Sequence, residues 1–314
     1  MSNKYHREIF EIMKILITGG AGFIGSHIAE YYHQCAEVRV LDNLRSGSAR
    51  NLAGLNVDFI RGDVRDRIKL AKAMEGVDYV FHLAAMIGVP ESMQNPLDCV
   101  DINVNGTLMV LEEAARAGVK KLCYASSAAV YGNADNILRR EDMCSDPDSV
   151  YAVTKLDGEH YCKIFSETGR LKTVSLRYFN VFGPRQDPAS AYAAAPAVFC
   201  NRAIHGQKIT IFGDGEQSRD FVYVDDVVKV NAFFMENDLE GVYNVATGKS
   251  VSINELVNRI LFMTDSQSEV EHKSERPGDI RHLQASTDKL HGAGVRCSSN
   301  FAASLGETVN YYNK

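Results

Sequence analysis

Short apolar, β-branched runs alternate along this chain with longer stretches whose apolar positions recur every three or four residues. Lys14–Thr18, Lys-Ile-Leu-Ile-Thr, is the first such run. Glu37–Leu41, Val57–Arg61, Tyr79–Leu83, Lys121–Ser126, Thr173–Tyr178 and Val242–Ala246 repeat it. Runs of this length and composition suit strands buried on both faces of a parallel sheet. Between them the period turns helical. Phe23, Ile24, Ile28, Ala29 and Tyr32 share one stripe, and Leu97, Val104, Leu108, Leu111 and Ala115 share another over Pro96–Ala117. Val153, Leu156 and Ile164 mark a third helix from Val150 onward. The alternation predicts an α/β fold, a doubly wound parallel sheet with helices on both faces.

Composition narrows the class. The 314 residues leave room for roughly two domains. An apolar share of 45% and a charged share of 24% are those of an ordinary globular protein. A net charge of −6 argues against nucleic acid or an anionic membrane as the main partner. No apolar run approaches the ~18 residues that would span a bilayer. The seven cysteines are scattered, without a Cys-x-x-Cys. They read as reduced thiols of a cytoplasmic protein, not as a disulfide framework or a metal site. Residues 1–13 are charged and polar, without the apolar core of a signal peptide. Met13 reads as a second start, and the fold expectation begins there.

The candidate chemistry falls at the ends of the expected strands. The first strand runs into Gly19-Gly20-Ala21-Gly22-Phe23-Ile24-Gly25 and then a helix. The glycines fit two frames, Gly20-x-Gly22-x-x-Gly25 and Gly19-x-x-Gly22-x-x-Gly25. Lacking Cβ atoms, they let the chain turn sharply, approach a pyrophosphate and aim a helix N-terminus at it. The second strand ends in Asp42, whose carboxylate can accept from an adenosine ribose diol and repel a 2′-phosphate. This favours NAD over NADP, with Arg45 nearby as the contrary sign. Asp63, the Leu83-Ala84-Ala85 turn and Ser126-Ser127 lie at further strand ends, where ligands of such sheets bind. Tyr151 and Lys155, four apart, share one face of the third helix. A neighbouring ammonium favours phenolate and would draw Tyr151 toward the working range of a general acid/base. With the Ser127 hydroxyl, the pair forms a set for oxidising a secondary alcohol, Tyr151 taking the proton while the carbon gives hydride to a nicotinamide.

These residues carry a family likeness. Thr18–Gly25, Asp42-Asn43, Gly62-Asp63-Val64, His82–Ala85, Asn103–Thr107, Ser126–Gly132 and Tyr151-x-x-x-Lys155 appear in order. They are followed by Arg177–Pro184, Gly213-Asp214-Gly215, Ser218–Phe221 and Arg276-Pro277-Gly278-Asp279. The chain resembles the extended short-chain dehydrogenase/reductase family, and within it the nucleotide-sugar epimerases. The resemblance implies a Rossmann-like NAD domain over residues 13–178, joined by segments near 221–247, and a smaller α/β substrate lobe over 179–314 interleaved with it. It implies a cofactor site of Gly19, Gly22, Phe23, Ile24, Gly25, Asp42, Asn43, Asp63, Val64, Leu83, Ala84, Ala85, Asn103, Tyr151, Lys155 and Tyr178. Tyr151, Lys155 and Ser127 are the implied catalytic residues. Asn180, Arg219 and Arg276 are implied as a diphosphate clamp, Asp279 as the ligand of the uridine ribose and Leu283 as the residue beside the sugar's 2-substituent. Planar guanidinium groups suit phosphate oxygens. Taken alone, Arg219 could equally pair with Asp220 or Asp225, and Arg276 could be a solvated loop charge.

The resemblance further implies 4-epimerisation of a UDP-hexose through a 4-keto intermediate, and a homodimer formed through the Pro96–Ala117 and Val150–Phe165 helices. Two departures touch the substrate. Gly88-Val89-Pro90 stands where the family usually has Ser-Val-Pro, and Leu283 is intermediate in size for its position. A UDP-glucuronate 4-epimerase or decarboxylase remains an alternative. A 4,6-dehydratase would carry an acidic pair where this chain has Ala128-Ala129. A redox-sensing binding protein would lack the Tyr151/Lys155 pair.

Overall fold

A computed structural model describes residues 13–133, 138–190, 194–275, 280–298 and 300–314. Seven parallel strands form the main sheet: β1 (Lys14–Thr18), β2 (Glu37–Asp42), β3 (Val57–Arg61), β4 (Tyr79–His82), β5 (Lys121–Ser127), β6 (Lys172–Tyr178) and β10 (Gly241–Val245). Their order is β10-β6-β5-β4-β1-β2-β3. The connecting helices are α1 (Phe23–Tyr32), α2 (Arg67–Met74), α3 (Val89–Gln94), α4 (Pro96–Val100), α5 (Gly106–Ala117), α6 (Val150–Glu167) and α8 (Val224–Glu236). A smaller sheet joins β7 (Asn180–Phe182), β9 (Ser218–Tyr223), β11 (Ser250–Ser252) and β13 (His282–Leu283). A further pair joins β8 (Ile209–Phe212) and β12 (Val270–Lys273). Around them lie α7 (Ala195–Ile204), α9 (Ile253–Thr264) and α11 (Phe301–Tyr312), while α10 (Asp288–Ala293) packs on β10 of the main sheet.

Strand β1 shows why the pattern reads as it does. Ile15, Leu16 and Ile17 are all fully buried. Ile15 and Ile17 join the core layer that contains Ile28 and Val230, while Leu16 joins the opposite layer with Leu111 and Phe165. Successive side chains of a strand point to opposite faces, so a strand covered on both sides has no polar face to show.

The expected Pro96–Ala117 helix is present but not uniform. A π-helical turn over Asp101–Asn105 separates α4 from α5. Such turns occur often at functional sites, and this one buries Asn103. The apolar stripes also divide. Val104 and Leu111 are buried, whereas Leu97, Val153 and Ile164 are 85%, 43% and 50% exposed. Helices α4 and α6 therefore carry apolar residues on an outward face as well as an inward one. No described helix is long and apolar enough to cross a membrane.

Candidate active site

From β1 the strand order runs one way through β2 to β3 and the other way through β4. Ligands of doubly wound sheets bind at such a reversal, and a cleft of about 690 Å³ opens there. It is lined by every cofactor residue expected from the sequence except Asn103.

The structure decides between the two glycine frames. Gly19 and Gly25 line the cleft, while Gly20 packs away from it, where an added Cβ would meet Val40 at 2.8 Å. Gly19 has φ +72°, and a Cβ there would lie 2.7 Å from the Ala84 nitrogen. The working frame is thus Gly19-x-x-Gly22-x-x-Gly25. Helix α1 begins directly after Gly22, with no side-chain cap and no acidic residue in its first turn. Its N–H groups and positive dipole end face the glycine loop, which is the arrangement a pyrophosphate requires.

The buried carboxylate of Asp42 ties the second strand to this loop, accepting from the Ala21 N–H at 3.0 Å and the Leu44 N–H at 2.8 Å. Burial raises its pKa, offset in part by those two bonds. Each oxygen keeps a lone pair for a ribose hydroxyl. Arg45 lines the cleft with its charge paired, 2.9 Å from both Glu91 and Asp98. Asn43 donates to Asp63 at 2.9 Å. The Arg65 guanidinium grips Asp63 at 2.8 and 2.9 Å and holds its carboxyl well below the usual carboxylate range.

The acid/base set sits on α6. Ser149 caps this helix, its hydroxyl accepting from the Ala152 N–H, and the Tyr151 N–H donates to the Ser92 hydroxyl of α3 at 3.1 Å. The Tyr151 phenol faces Ser127 at the end of β5, whose hydroxyl lowers its pKa. Lys155 is buried, its ammonium 5.9 Å from the Tyr151 ring centroid and donating to the Ala125 carbonyl at 2.8 Å. Burial lowers Lys155 to about 8. The expectation that Lys155 would lower Tyr151 is not met in the protein alone. Burial raises the phenol above its ordinary value, outweighing the lowering hydrogen bond from Ser127. Tyr151 therefore carries its proton at neutral pH.

The remaining expected residues separate. Asn103 does not reach the cleft. Its amide accepts from the Met86 N–H at 2.8 Å and donates to the Met86 carbonyl and the Thr154 hydroxyl, both at 3.0 Å. It clamps the segment after the Leu83-Ala84-Ala85 turn to α6. The Tyr178 hydroxyl donates to Asn231 at 2.9 Å, leaving its ring as the surface offered to the cleft. Asn180 lies on β7, and its buried Nδ2 has no hydrogen-bond partner among the described residues. Arg219 lies half-buried on β9 and donates to the Ser218 carbonyl. The neighbouring Asp220 is occupied by Thr247, Gly248 and Ala285. Leu283 is buried in an apolar cluster with Ala128, Tyr131 and Phe179 instead of lining the cleft. Arg276 and Asp279 lie outside the described residues.

Two walls of the cleft were not expected. Ser46, Gly47, Ser48, Arg50 and Asn51 form one. The Ser48 N–H and the Asn51 amide both donate to the Ala21 carbonyl at 2.9 Å, laying this loop on the glycine turn. A Ser-Gly-Ser run two residues beyond Asp42-Asn43 was the available signal. Arg185, Gln186, Tyr311 and Tyr312 form the other wall. Arg185 adopts φ +66°, pairs with Glu30 and donates to His27. Nothing local in the sequence brings residues 185–190 to the end of α11.

A glycine-loop cleft at the strand reversal of a seven-stranded parallel sheet defines a dinucleotide-binding α/β protein. The chain belongs to the NAD dependent epimerase/dehydratase family, whose model matches residues 15–246. A putative UDP-glucose 4-epimerase of Methanocaldococcus jannaschii is 35% identical over 300 residues, covering 95% of this chain and 97% of that protein. Among solved structures, a UDP-N-acetylglucosamine 4-epimerase from Methanobrevibacter ruminantium, in complex with UDP-N-acetylmuramic acid, matches with a TM-score of 0.93 and 40% identity over 96% of this chain and 98% of that one. A UDP-glucose 4-epimerase from Thermus thermophilus, in complex with NAD, matches with a TM-score of 0.89 and 37% identity over 96% and 99%. NAD is the cofactor of this family, and the frame of Gly19, Gly22 and Gly25 with Asp42 fits it.

Proposed function

We propose that this enzyme interconverts the C4 epimers of a UDP-hexose. The observation that carries the reading is that Tyr151 and Lys155 line a cleft built for NAD, with Ser127 facing Tyr151 from the end of β5. Bound NAD supplies a hydride acceptor whose oxidised nicotinamide, being positively charged, favours the phenolate of Tyr151. Tyr151 takes the C4 hydroxyl proton as hydride would leave C4, and returns the proton to the C4 oxygen once the turned sugar would take hydride back on its other face, while Ser127 orients the oxygen. The unpartnered Nδ2 of Asn180 supports its role as a diphosphate donor beside Arg219. A sugar held mainly through its diphosphate is free to turn between the two transfers. Ala128 and Ala129 follow Ser127 directly, so the acid pair needed for eliminating water is missing. That favours epimerisation over dehydration, the chemistry named for the dTDP-D-glucose 4,6-dehydratases of mouse and human, 31% and 30% identical to this chain.

Incubation with UDP-glucose, UDP-N-acetylglucosamine and UDP-glucuronate, followed by NMR of the products, tests the reading. A C4-epimer mixture from at least one hexose is expected. A 4-keto-6-deoxy product or a decarboxylated pentose would replace the reading, and binding of NAD without turnover would make the chain a sensor. Leu283 offers a test of sugar choice, because the Ala128 of its cluster adjoins Ser127. Leu283→Ala should raise the ratio of kcat/KM for the N-acetylated over the plain UDP-hexose by roughly 10- to 200-fold, the range a steric change of this size supplies. An unchanged ratio would remove Leu283 from the sugar's surroundings. The outward Leu97, Val153 and Ile164 support a homodimer through α4 and α6. Light scattering should give twice the 34.7 kDa chain mass, and a monomer would exclude that assembly.

A further inference from the structure

Three consecutive residues at the end of β5 each meet a different residue of one face of α6. The Ala125 carbonyl accepts from Lys155 at 2.8 Å, the Ser126 hydroxyl donates to Glu159, and the Ser127 hydroxyl faces the Tyr151 phenol and lowers its pKa. Positions 151, 155 and 159 are spaced four apart, so they share one helix face. Ser126 also lies on the strand face of Tyr124, which packs in the core layer of Cys162 and Phe165 from α6. Glu159 is fixed from a second strand as well: Arg177 of β6 donates to it through Nε at 2.8 Å and Nη2 at 2.7 Å. Both side chains are about 95% buried, with 5% and 4% exposed. The Arg177 guanidinium lies 4.7 Å over the Tyr131 ring, and the Tyr131 hydroxyl donates to Asn244 at 2.7 Å.

A buried ion pair is a poor way to gain stability, because apolar residues of equal volume often do as well or better. What it adds is direction. We propose that Glu159 is a positioning residue for the acid/base pair, locking the Ala125–Ser127 segment to α6 through the Ser126 hydroxyl and Arg177. The other titratable groups facing Tyr151 and Lys155 are held uncharged near neutrality by burial. Cys99 of α4, Tyr124 of β5 and Cys162 of α6 are raised, and His82 of β4 is lowered to about 3. Glu159 is the carboxylate of this set, and it favours the charged form of Lys155. If Ser126 is released, the end of β5 can shift by tenths of an ångström, which is enough to misplace the Ser127 hydroxyl against Tyr151 and misalign the Lys155–Ala125 bond together.

The turnover arm of the test rests on the epimerase reading; the titration arm does not. Ser126→Ala, Ser126→Thr and Glu159→Gln would be prepared as the NAD-loaded enzyme. Turnover of a UDP-hexose would be measured with KM and NAD affinity. Tyrosinate absorbance against pH, less that of Tyr151→Phe, would isolate the titration of Tyr151. Ser126→Ala and Glu159→Gln should lower kcat about tenfold, leave KM and NAD affinity within about twofold, and move the Tyr151 titration up by about one pH unit. Ser126→Thr, which keeps the hydroxyl, should recover most of both. The proposal is overturned if Ser126→Ala leaves kcat and the titration unchanged, or if its loss is not repaired by Ser126→Thr. If Glu159→Gln does not fold, the Ser126 pair still decides. If the wild-type enzyme turns over no sugar, the functional reading fails while the titration continues to test the lock.

Discussion

Tyr151→Phe is expected to lower epimerase turnover by roughly 10²- to 10⁴-fold, the usual worth of a positioned acid/base. The change keeps the ring in the cleft wall and deletes only the oxygen that faces Ser127. NAD affinity should hold within a few-fold, because the glycine turn, Asp42 and the start of α1 are untouched. Fluorescence titration of NAD alongside initial rates separates the two effects. Activity near the wild-type level would move the base to another residue. A loss of NAD binding in parallel with turnover would make Tyr151 a structural part of the cofactor site.

Lys155→Met is expected to abolish turnover to a similar degree while raising thermal stability. Lys155 titrates near 8 in the fold against an ordinary 10.5 because burial disfavours its charge. A shift of this size corresponds to a penalty on the order of 3 kcal/mol. The folded pKa is the lower one, so the penalty is present in full below pH 8 and fades as pH rises toward 10.5. Methionine fills the same space without charge, but it leaves the Ala125 carbonyl without its donor, a cost of about 1–2 kcal/mol. The net gain at pH 7 should be about 1–2 kcal/mol, or a few degrees in Tm. The advantage over wild type should shrink between pH 8 and pH 10. Calorimetry across that range checks the sign. A lower Tm at pH 7 would mean that the ammonium contributes more to the fold than its burial costs. Stability given up at a functional position for the sake of chemistry is a common trade.

The sheet was legible because its strands are buried on both faces. Unbroken β-branched runs such as Ile15-Leu16-Ile17 leave little choice of structure, and the seven expected strands match those of the main sheet to within about a residue. The glycine turn and the Tyr151/Lys155 spacing were legible for a related reason: their function depends on local geometry that a short motif encodes. The short strands β7, β9, β11 and β13 were not, since they are paired by residues 30 to 64 positions apart and have little periodicity of their own. Asn103 shows a different limit. A polar residue in a matching motif reads as a ligand contact, yet burial turned it into a backbone clamp. Tyr151 shows a third. Spacing gives the neighbour but not the dielectric, and in this interior desolvation dominates the phenol's pKa. Arg45 illustrates the reverse: its position beside Asp42 suggested a phosphate ligand, and Glu91 and Asp98, distant in sequence, took its charge.

The central claim is that a hydride leaves C4 of a UDP-hexose and returns to the same carbon on its other face, with Tyr151 moving the proton. The most direct measurement is to supply C4-deuterated UDP-glucose, or its N-acetylated counterpart if that is the better substrate, and locate the label in the product by NMR. The account predicts a UDP-sugar inverted at C4 that keeps the deuterium at C4, with no hydrogen drawn from solvent at any ring carbon. Inversion with loss of the label to solvent would contradict it, as would a product oxidised at C4 and deoxygenated at C6.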